Sequence, residues 1–188
     1  SLCESSIRIE ELIDFAKKSQ MPAISICDKH NMFGALEFSM KCKKNNIQPI
    51  ISCQINLNIN DILHDKHSLS ILDVNKSLCQ SILIAKDQQG YLNLMKLISE
   101  SYTKREAGIN PNIKLSDLEN NKDRLIFLCG NLEGVLSKLL LEEQDKKAEI
   151  LAKKLLNIFA DDFYIELHRH GENNENIFII NSEDFDPA

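Results

Sequence analysis

The chain has 188 residues, enough for one domain of ordinary size or for one piece of a larger protein. Hydrophobic residues make up 43% of it, and since a domain of this length buries roughly 70% of its unfolded surface, its core needs no disulfide or metal. Its 22 Lys and Arg against 28 Asp and Glu give a net charge of −6, which argues against a domain whose main role is to grip a phosphate backbone.

The six cysteines form no CxxC pair, and most stand inside apolar runs such as AISIC and LIFLC. Such surroundings are typical of reduced, buried thiols in a cytosolic protein. No window holds 18 apolar residues, and the opening SLCESSIRIEEL is too polar and too acidic for a signal peptide. We therefore expect a soluble, cytoplasmic chain with no membrane partner.

The first predicted elements are an amphipathic helix and a strand. The helix lies within IRIEELIDFAKKSQ, where helical spacing predicts an inward face formed by Ile9, Leu12, Ile13 and Ala16. Pro22 ends this segment. The five-residue apolar run AISIC that follows predicts a strand buried on both faces.

A second helix and strand follow the polar loop DKHNMFG. The helix is ALEFSMKCKKNN, with Leu36 and Met40 on its apolar face and lysines at its C-terminal end. The strand is IQPIISCQINLNI. Helix, strand, loop, helix and strand in about 50 residues are typical of parallel βα units, whose crossover helices cover the sheet.

The same order continues in the second half of the chain. SILIAKD predicts a strand, and QQGYLNLMKLISESY predicts a helix with an inward face of Leu92, Met95, Leu97 and Ile98. RLIFLCG predicts another strand, NLEGVLSKLLLEEQ and KKAEILAKKLLNIF predict two helices, and DDFYIELHRHG predicts a strand that enters a loop. The pattern favours an α/β fold with parallel βα order throughout.

We interpret residues 1–188 as a single domain. Residues 61–76 and 103–112 show no clear hydrophobic period and are predicted to be irregular excursions from the scaffold. The tail, 172–188, is uncertain, because its apolar run NIFII has no helix after it to cover it. We therefore expect the chain to stop before a closed barrel is complete.

Candidate functional residues follow the predicted strands, because parallel α/β folds place their functional groups at the carboxyl ends of strands. The candidates are Asp28, Lys29, His30 and Asn31; Cys53 and Gln54; Cys129 to Asn131; and His168, Arg169 and His170. Imidazoles and carboxylates from such a set can hold a divalent metal that activates water for phosphoester hydrolysis. Histidine is limiting, because His64 and His67 lie in an irregular excursion. From spacing alone, the interpretation of His30 and His170 as ordinary, hydrogen-bonded polar residues is preferred to a catalytic one.

Several runs resemble a known family. The stretch IRIEELIDFAKKSQMPAISICDKHNMFGALEFSMKCKKNNIQPIISCQI, and then GYLNLMKL, IKLSDLENNKDRLIFLCGNLEG and FYIELHRHG, resemble in order the PHP (polymerase and histidinol phosphatase) domain at the N-terminus of bacterial DNA polymerase III alpha subunits. The resemblance covers Ser1 to about Gly171. It implies a distorted (β/α)7 barrel.

The resemblance also implies that the metal site of the family has been dismantled here. In the family, an HxH pair on the first strand supplies two ligands, and this chain begins just after that segment, so the barrel is expected to be incomplete at both ends. Asp28 is kept, Lys29 stands where a ligand histidine is expected, and His30 is displaced by one position. The other lost-ligand positions are Gln54 in place of glutamate, Gln80 near a histidine position and Asn131 near a cysteine position.

The tail resembles a family motif containing Asn-Asp-x-His. INSEDF matches it with Ser182 and Asp184 at ligand positions, or SEDFD lies slightly beyond it. Either alignment lacks residues after Gly171, through a deletion, a disrupted reading frame or an artificial boundary. The vestigial metal-ligand candidates are Asp28, His30, His170 and Asp184.

The implied function is that of a polymerase segment. We expect a catalytically degenerate scaffold with no catalytic residues, no cofactor and no direct grip on DNA, within a parent subunit that uses Mg for DNA synthesis. The implied partners are the rest of the alpha subunit and the separate proofreading exonuclease subunit. The alternatives are an active phosphoesterase holding Zn or Mn, acting as a 3′–5′ exonuclease or pyrophosphatase, and an independent α/β binding protein.

Overall fold

The computed structural model describes residues 7–60, 70–129 and 133–166. Its helices are α1 (Ile9–Lys18), α2 (Ala35–Lys44), α3 (Ile71–Ser77), α4 (Gln88–Thr103), α5 (Leu115–Asn121), α6 (Val135–Leu141) and α7 (Asp145–Phe159), with a 3-10 turn at Ala160–Asp162. Its strands are β1 (Ala23–Lys29), β2 (Gln48–Asn58), β3 (Leu78–Ala85), β4 (Ile113–Lys114), β5 (Leu125–Leu128) and β6 (Phe163–Tyr164). None of the described helices is long and apolar enough to cross a membrane.

The strands form one mixed sheet in the order β1-β2-β3-β5-β6, with β4 also paired to β2. The α/β class is confirmed, and the sheet is consistent with part of the barrel that the resemblance implies. The prediction that the strands are parallel throughout is wrong, because β3 runs antiparallel to both β2 and β5. Leu78, the first residue of β3, is paired with Asn58, the last residue of β2. β3 therefore starts at the end of the sheet where β2 stops. A strand that starts there runs antiparallel to its neighbour.

Alternation along β2 separates the two faces of the sheet. Cys53, Ile55 and Leu57 are buried in the main core, which α4, α6 and α7 complete. A second cluster lies under α1 and α2 and contains Ile13, Ala16, Phe38, Cys42 and Ile47, with Ile24, Ile26 and Ile51 packed against it. The other face of β2 carries Ser52, Gln54, Asn56 and Asn58. One face is therefore covered by helices, and the other is polar.

Two predicted apolar faces differ from the observed ones. Strand β1 is not buried on both faces, since Cys27 is exposed and only Asp28 is buried. β1 is the first strand in the observed order, and helices cover only one of its faces. On α2, Leu36 and Met40 are 70% and 54% exposed. The buried face is instead Phe38 with Ala35 and Cys42, whose small side chains let the helix lie close to the sheet.

Some elements were predicted too broadly and others were missed. The predicted inward face of α1 is confirmed. On α4, Leu97 and Ile98 are buried as predicted, but Leu92 is exposed and Leu94 is buried instead. Helix α3 overlaps the end of the excursion predicted at 61–76, while 104–112 contains no regular element. Strand β4 and helix α5 were not predicted. Up to residue 166, where the description ends, the last predicted strand comprises Phe163–Tyr164.

Helix α4 begins in close contact with the turn before β5. Asp87 caps the helix by accepting a hydrogen bond from the Gly90 amide at 3.0 Å. The Arg124 carbonyl, in a left-handed turn residue with φ 61°, accepts a hydrogen bond from the Lys86 amide at 3.0 Å. A Cβ atom on Gly90 would stand 2.1 Å from that carbonyl oxygen. Only glycine permits this approach of two backbone segments.

We expect Gly90→Ala to lower the free energy of unfolding by about 1–3 kcal/mol, the usual cost of overpacking. The first turn of α4 has to move away from the Arg124 carbonyl, which is backbone and cannot rotate aside. Urea denaturation followed by circular dichroism measures the change. Gln89→Ala, at the exposed neighbouring position, is the control and should stay within about 0.5 kcal/mol of the wild type. Equal stability of the two variants would contradict the contact.

Candidate functional site

The loop after β1 is held between β2 and α4. Asp28 is buried, and its Oδ2 accepts a hydrogen bond from the Gly34 amide at 3.3 Å. His30 has a left-handed backbone with φ 56°. Its amide donates to the Gln54 carbonyl at 2.9 Å, and its carbonyl accepts a hydrogen bond from the Tyr102 hydroxyl at 2.9 Å. The backbone of this candidate site is therefore fixed from both sides.

Asn31 and Cys53, which were candidate site residues, stabilise the same loop. The Asn31 side chain donates to the Lys29 carbonyl at 2.8 Å and accepts a hydrogen bond from the Phe33 amide at 3.1 Å. This is the local turn that asparagine commonly stabilises. The Cys53 thiol donates to the Asn31 carbonyl at 3.3 Å. Both contacts hold the turn in place.

Two of the lost-ligand positions contact each other directly. Gln54 Nε2 donates to Gln80 Oε1 at 2.7 Å, and Gln80 Nε2 donates to a carboxylate oxygen of Glu133. The Gln80 amide also donates to the Glu133 carbonyl at 2.9 Å. The side chains meet because antiparallel β3 starts where β2 ends, which places Gln80 opposite Asn56. Gln54, Gln80 and Glu133 therefore form one hydrogen-bonded chain.

A cleft of about 600 Å³ lies beside this chain, on the polar side of the sheet. Its walls are formed by Lys29, His30, Asn56, Asn75, Leu78, Gln80, Asn110, Pro111, Glu133 and Lys138. The Lys138 ammonium donates to the carbonyls of Lys76 and Leu78, at the end of α3 and the start of β3. Among the described residues that line the cleft, the fixed charges are two ammonium groups, of Lys29 and Lys138, and the carboxylate of Glu133.

Asparagines attach the 104–112 loop to the rim of the cleft. Asn56 Nδ2 donates to the Pro111 carbonyl at 3.1 Å. The Asn75 side chain donates to the Gly108 carbonyl at 3.0 Å and accepts a hydrogen bond from the Asn110 amide at 2.8 Å. The alternation of polar and apolar residues in QINLN could have predicted that Asn56 lies on the same face of the sheet as Gln54. Asn75, Glu133 and Lys138 had no comparable signal, because other segments bring them to the sheet.

The described residues do not fit a divalent metal. A metal site of this kind needs imidazole or carboxylate ligands, whereas the ammonium of Lys29 offers no lone pair and an amide is a neutral, weaker ligand. Gln54 directs its donor at Gln80, and Gln80 uses its acceptor for Gln54 and its donor for Glu133. Among residues 7–60, 70–129 and 133–166, no group of three or more His, Cys, Asp and Glu residues is placed to hold a metal ion.

The structure describes only some of the predicted site residues. It brings together Lys29, His30, Gln54 and Gln80 beside the cleft, whereas Asp28 is buried and accepts a hydrogen bond from the Gly34 amide. Cys129 is buried in the main core, and its amide donates to the Tyr164 carbonyl at 3.0 Å. The remaining candidates lie outside the described residues, and their roles stay predictions: Gly130, Asn131, His168, Arg169, His170, Ser182 and Asp184. His64 and His67, which were set aside as part of an excursion, also lie outside them.

Burial changes the acidity of the cysteines near the site. Desolvation raises the pKa of the Cys53 thiol to about 12, against an ordinary 9.0. It also raises the pKa of Cys79 to about 11. These thiols are therefore protonated at neutral pH and are poor nucleophiles and poor metal ligands.

A sequence profile of the PHP domain matches residues 1–170. The chain belongs to the PHP-domain family. One relative is the DNA polymerase III subunit alpha of Rickettsia felis, 36% identical over 170 residues, which are 90% of this chain and 13% of that protein. The subunit of Borreliella burgdorferi is 35% identical over 179 residues, 94% of this chain and 15% of that protein. The subunit of Aquifex aeolicus is 35% identical over 168 residues, 89% of this chain and 14% of that protein.

The family resemblance seen in the sequence is thus confirmed. This PHP chain spans only 13–15% of the length of these three relatives. It is similar to the PHP region of DNA polymerase III alpha subunits. The family match also confirms that the loop containing Asp28 and the strand containing Gln54 belong to a PHP domain, since both lie within the matched residues.

We expect the stability of the PHP chain to fall more steeply with pH in the wild type than in Cys53→Ser. Because the folded-state pKa of Cys53 is raised, the contribution of its thiol is full below the unfolded-state value near 9.0 and is lost as pH rises toward about 12. The difference in slope between pH 9 and 11 should approach 1.4 kcal/mol per pH unit, roughly the equivalent of one proton.

Urea unfolding under reducing conditions at several pH values measures this slope. Serine keeps a donor for the Asn31 carbonyl but does not titrate in this range. Any loss of stability at pH 8 in the variant does not affect the comparison, since only the slope is compared. Identical slopes would show that Cys53 is accessible to solvent in the folded protein.

Proposed function

We propose that this PHP chain is the N-terminal PHP segment of a replicative DNA polymerase III alpha subunit. One support is the match of the PHP-domain profile over residues 1–170. The other is that the three relatives described above are alpha subunits and are 35–36% identical to about nine tenths of the chain. In this proposal, DNA-templated DNA synthesis belongs to the parent subunit, with its Mg, and not to this segment.

Within that subunit, the segment is a scaffold without phosphoesterase activity. The observation that carries this step is the Gln54–Gln80–Glu133 chain. The resemblance implies that positions 54 and 80 would face a metal in an active PHP domain. In this chain, the side chains at these positions form hydrogen bonds with each other and with Glu133. Lys29 adds a positive charge at the same end of the sheet, which disfavours a divalent cation.

The proposed partners of the scaffold are those that the family resemblance implies. Its first partner is the remainder of the alpha subunit, and its second is the proofreading exonuclease subunit, for which it supplies a docking surface. The net charge of −6 suits contact with protein better than contact with DNA. We place the assembly in the cytoplasm.

The alternative is an active phosphoesterase that holds Zn or Mn. Its support is that Asp28 is buried and hydrogen-bonded at the end of β1, while His30 and Glu133 line the cleft. Activity would require further ligands from residues such as His170 and Asp184. Metal content and hydrolysis separate this alternative from a scaffold.

The first test concerns the parent protein. The DNA on both sides of the segment should encode one continuous reading frame, with the first PHP strand upstream and the polymerase domains downstream. Sequencing of the locus and of its messenger RNA provides the measurement. A reading frame that begins and ends with this segment would rule out the parent subunit and favour an independent protein.

The second test concerns the site. After equilibration with Zn²⁺ or Mn²⁺ and desalting, we expect the chain to retain less than one ion, and to hydrolyse neither pyrophosphate nor a 3′-terminal nucleotide of single-stranded DNA. Elemental analysis and product release measure both. The wild type is compared with Asp28→Ala and, as a control, with Asp14→Ala at an exposed position of α1.

The outcome that would contradict the scaffold is also defined. Two or more ions per chain that are lost in Asp28→Ala and kept in Asp14→Ala would establish a working metal site. Hydrolysis with the same dependence would establish the phosphoesterase.

A further inference from the structure

The C-terminal ends of α1 and α2 together carry four lysines. Lys17 and Lys18 stand in the last turn of α1, and Lys43 and Lys44 stand in the last turn of α2. All four residues are exposed, and none of them forms an ion pair with another described residue. We call this group the lysine end. The net charge of −6 therefore conceals a positive region on the surface.

Both helices finish in the same way. Gln20 and Asn46, two residues beyond the two helices, have left-handed backbones with φ 53° and 55°. The Met21 amide then donates to the Ala16 carbonyl at 2.9 Å, and the equivalent bond at the end of α2 measures 3.0 Å. This is a common closure of a helix by a left-handed residue. The last two residues of each helix, both lysines, therefore occupy equivalent positions.

The two helix ends lie side by side because β1 and β2 start at the same edge of the sheet. The two strands are parallel, with Ala23 paired to Gln48. The Gln48 amide donates to the Pro22 carbonyl at 2.9 Å, which joins the two turns that precede the strands. Helix α1 also packs against α2, and neighbouring helices lie about 8–10 Å apart. The lysine end is therefore one compact surface.

The carboxylates of these helices lie mostly toward the opposite ends. Glu10 and Glu37, in the first turns, both form ion pairs with Lys41, at 3.0 and 2.6 Å. Glu11 also lies in the first turn of α1. Asp14 comes one helical turn before the lysines of α1 and offsets part of their charge. The turns between the helices and the two strands contain no Asp or Glu. The lysine end is therefore positive.

The helix dipole by itself does not account for the lysine end. The negative C-terminal end of a helix favours a nearby cation. Two lysine pairs on helices about 8–10 Å apart also repel each other, however. No ion pair to these lysines compensates for that repulsion within the described residues. A ligand with several negative charges would relieve it, so the lysine end fits a polyanion.

Further donors and the density of charge favour phosphate groups as the ligand. Ser19, Gln20 and Asn46 are exposed beside the lysines, and their side chains have no hydrogen-bond partner in the described part of the chain. Lysine, serine, asparagine and glutamine are among the residues that donate to phosphate oxygens in DNA complexes. Duplex DNA carries one negative charge per roughly 1.7 Å of its axis, so a surface about 10 Å wide faces roughly six phosphates. An extended acidic peptide carries at most one charge per roughly 3.3 Å, about half that density.

We infer that the lysine end binds the phosphate backbone of duplex DNA without reading its sequence. The inference goes beyond the scaffold role. It departs from the expectation of no direct grip on DNA, because that expectation depended on net charge, whereas a contact depends on where the charges lie. The negative charge of the remaining surface keeps the contact weak, with a dissociation constant of about 10⁻⁴ M or more at physiological salt.

Fluorescence anisotropy of a labelled duplex of about 20 base pairs, titrated with the 188-residue chain, tests the contact. The logarithm of the binding constant should fall against the logarithm of salt concentration with a slope of about −3 to −4, since four ammonium groups contribute roughly 0.9 each. Lys18→Gln combined with Lys44→Gln should weaken binding at least about tenfold at about 50 mM salt and reduce the slope by about two. Lys96→Gln combined with Lys154→Gln, at exposed positions of α4 and α7, changes the net charge equally and should weaken binding less than about twofold.

Three results would overturn the inference. The first is no binding at about 50 mM salt with protein up to about 0.5 mM. The second is an equal loss of binding in the control pair, which would assign the effect to net charge alone. The third is a short oligoglutamate that binds more tightly than the duplex, which would point to an acidic protein as the partner. Circular dichroism confirms folding, and the single Lys18→Gln and Lys44→Gln variants, each with a slope change of about one, replace the double variant if it is not folded.

Lysine acetylation tests the position of the contact. With saturating duplex, the four residues of the lysine end should react with an acetylating reagent more slowly than without DNA, whereas Lys96 and Lys154 should react at the same rate. Mass spectrometry of the digested protein measures each lysine. Protection of Lys29 and Lys138 in place of the lysine end would put the DNA at the cleft and overturn the inference.

Discussion

The alternation of side chains along β2 is the constraint on which the rest of the structure depends. β2 pairs with β1, β3 and β4, so its pleat determines which side of the sheet each neighbour presents to the core. Cys53, Ile55 and Leu57 enter the core that the helices cover. Gln54 and Asn56 consequently face the other side, and a slip of one residue in register would exchange the two sets.

The site follows from the same register. Lys29 is paired with Gln54 across β1 and β2, and Gln80 is paired with Asn56 across β2 and β3. The site is therefore assembled from three strands at one end of the sheet. A polar face of this kind is tolerated because its amides bind one another and the 104–112 loop, so buried donors and acceptors are satisfied.

Glutamine at positions 54 and 80 gives this part of the site a hydrogen-bonded chain of amides. Glutamine has nearly the size of glutamate but lacks its charge, and it donates as well as accepts hydrogen bonds. Gln54 uses that donor on Gln80, and Gln80 uses its own on Glu133. A scaffold gains rigidity from such a chain, whereas a metal site would need the same positions to carry lone pairs directed at the ion.

The sequence by itself determined the α/β class, the positions of most helices and strands and the PHP family. These depend on local periodicity and on residue identity, which a sequence displays directly. Only the tertiary structure decided that β3 runs antiparallel, that Leu36 and Met40 face outward, and that Gln80 reaches Glu133. Strand direction, the choice between two possible helix faces and contacts between distant residues depend on how elements pack, because the free energy of burial is shared among segments far apart in the chain.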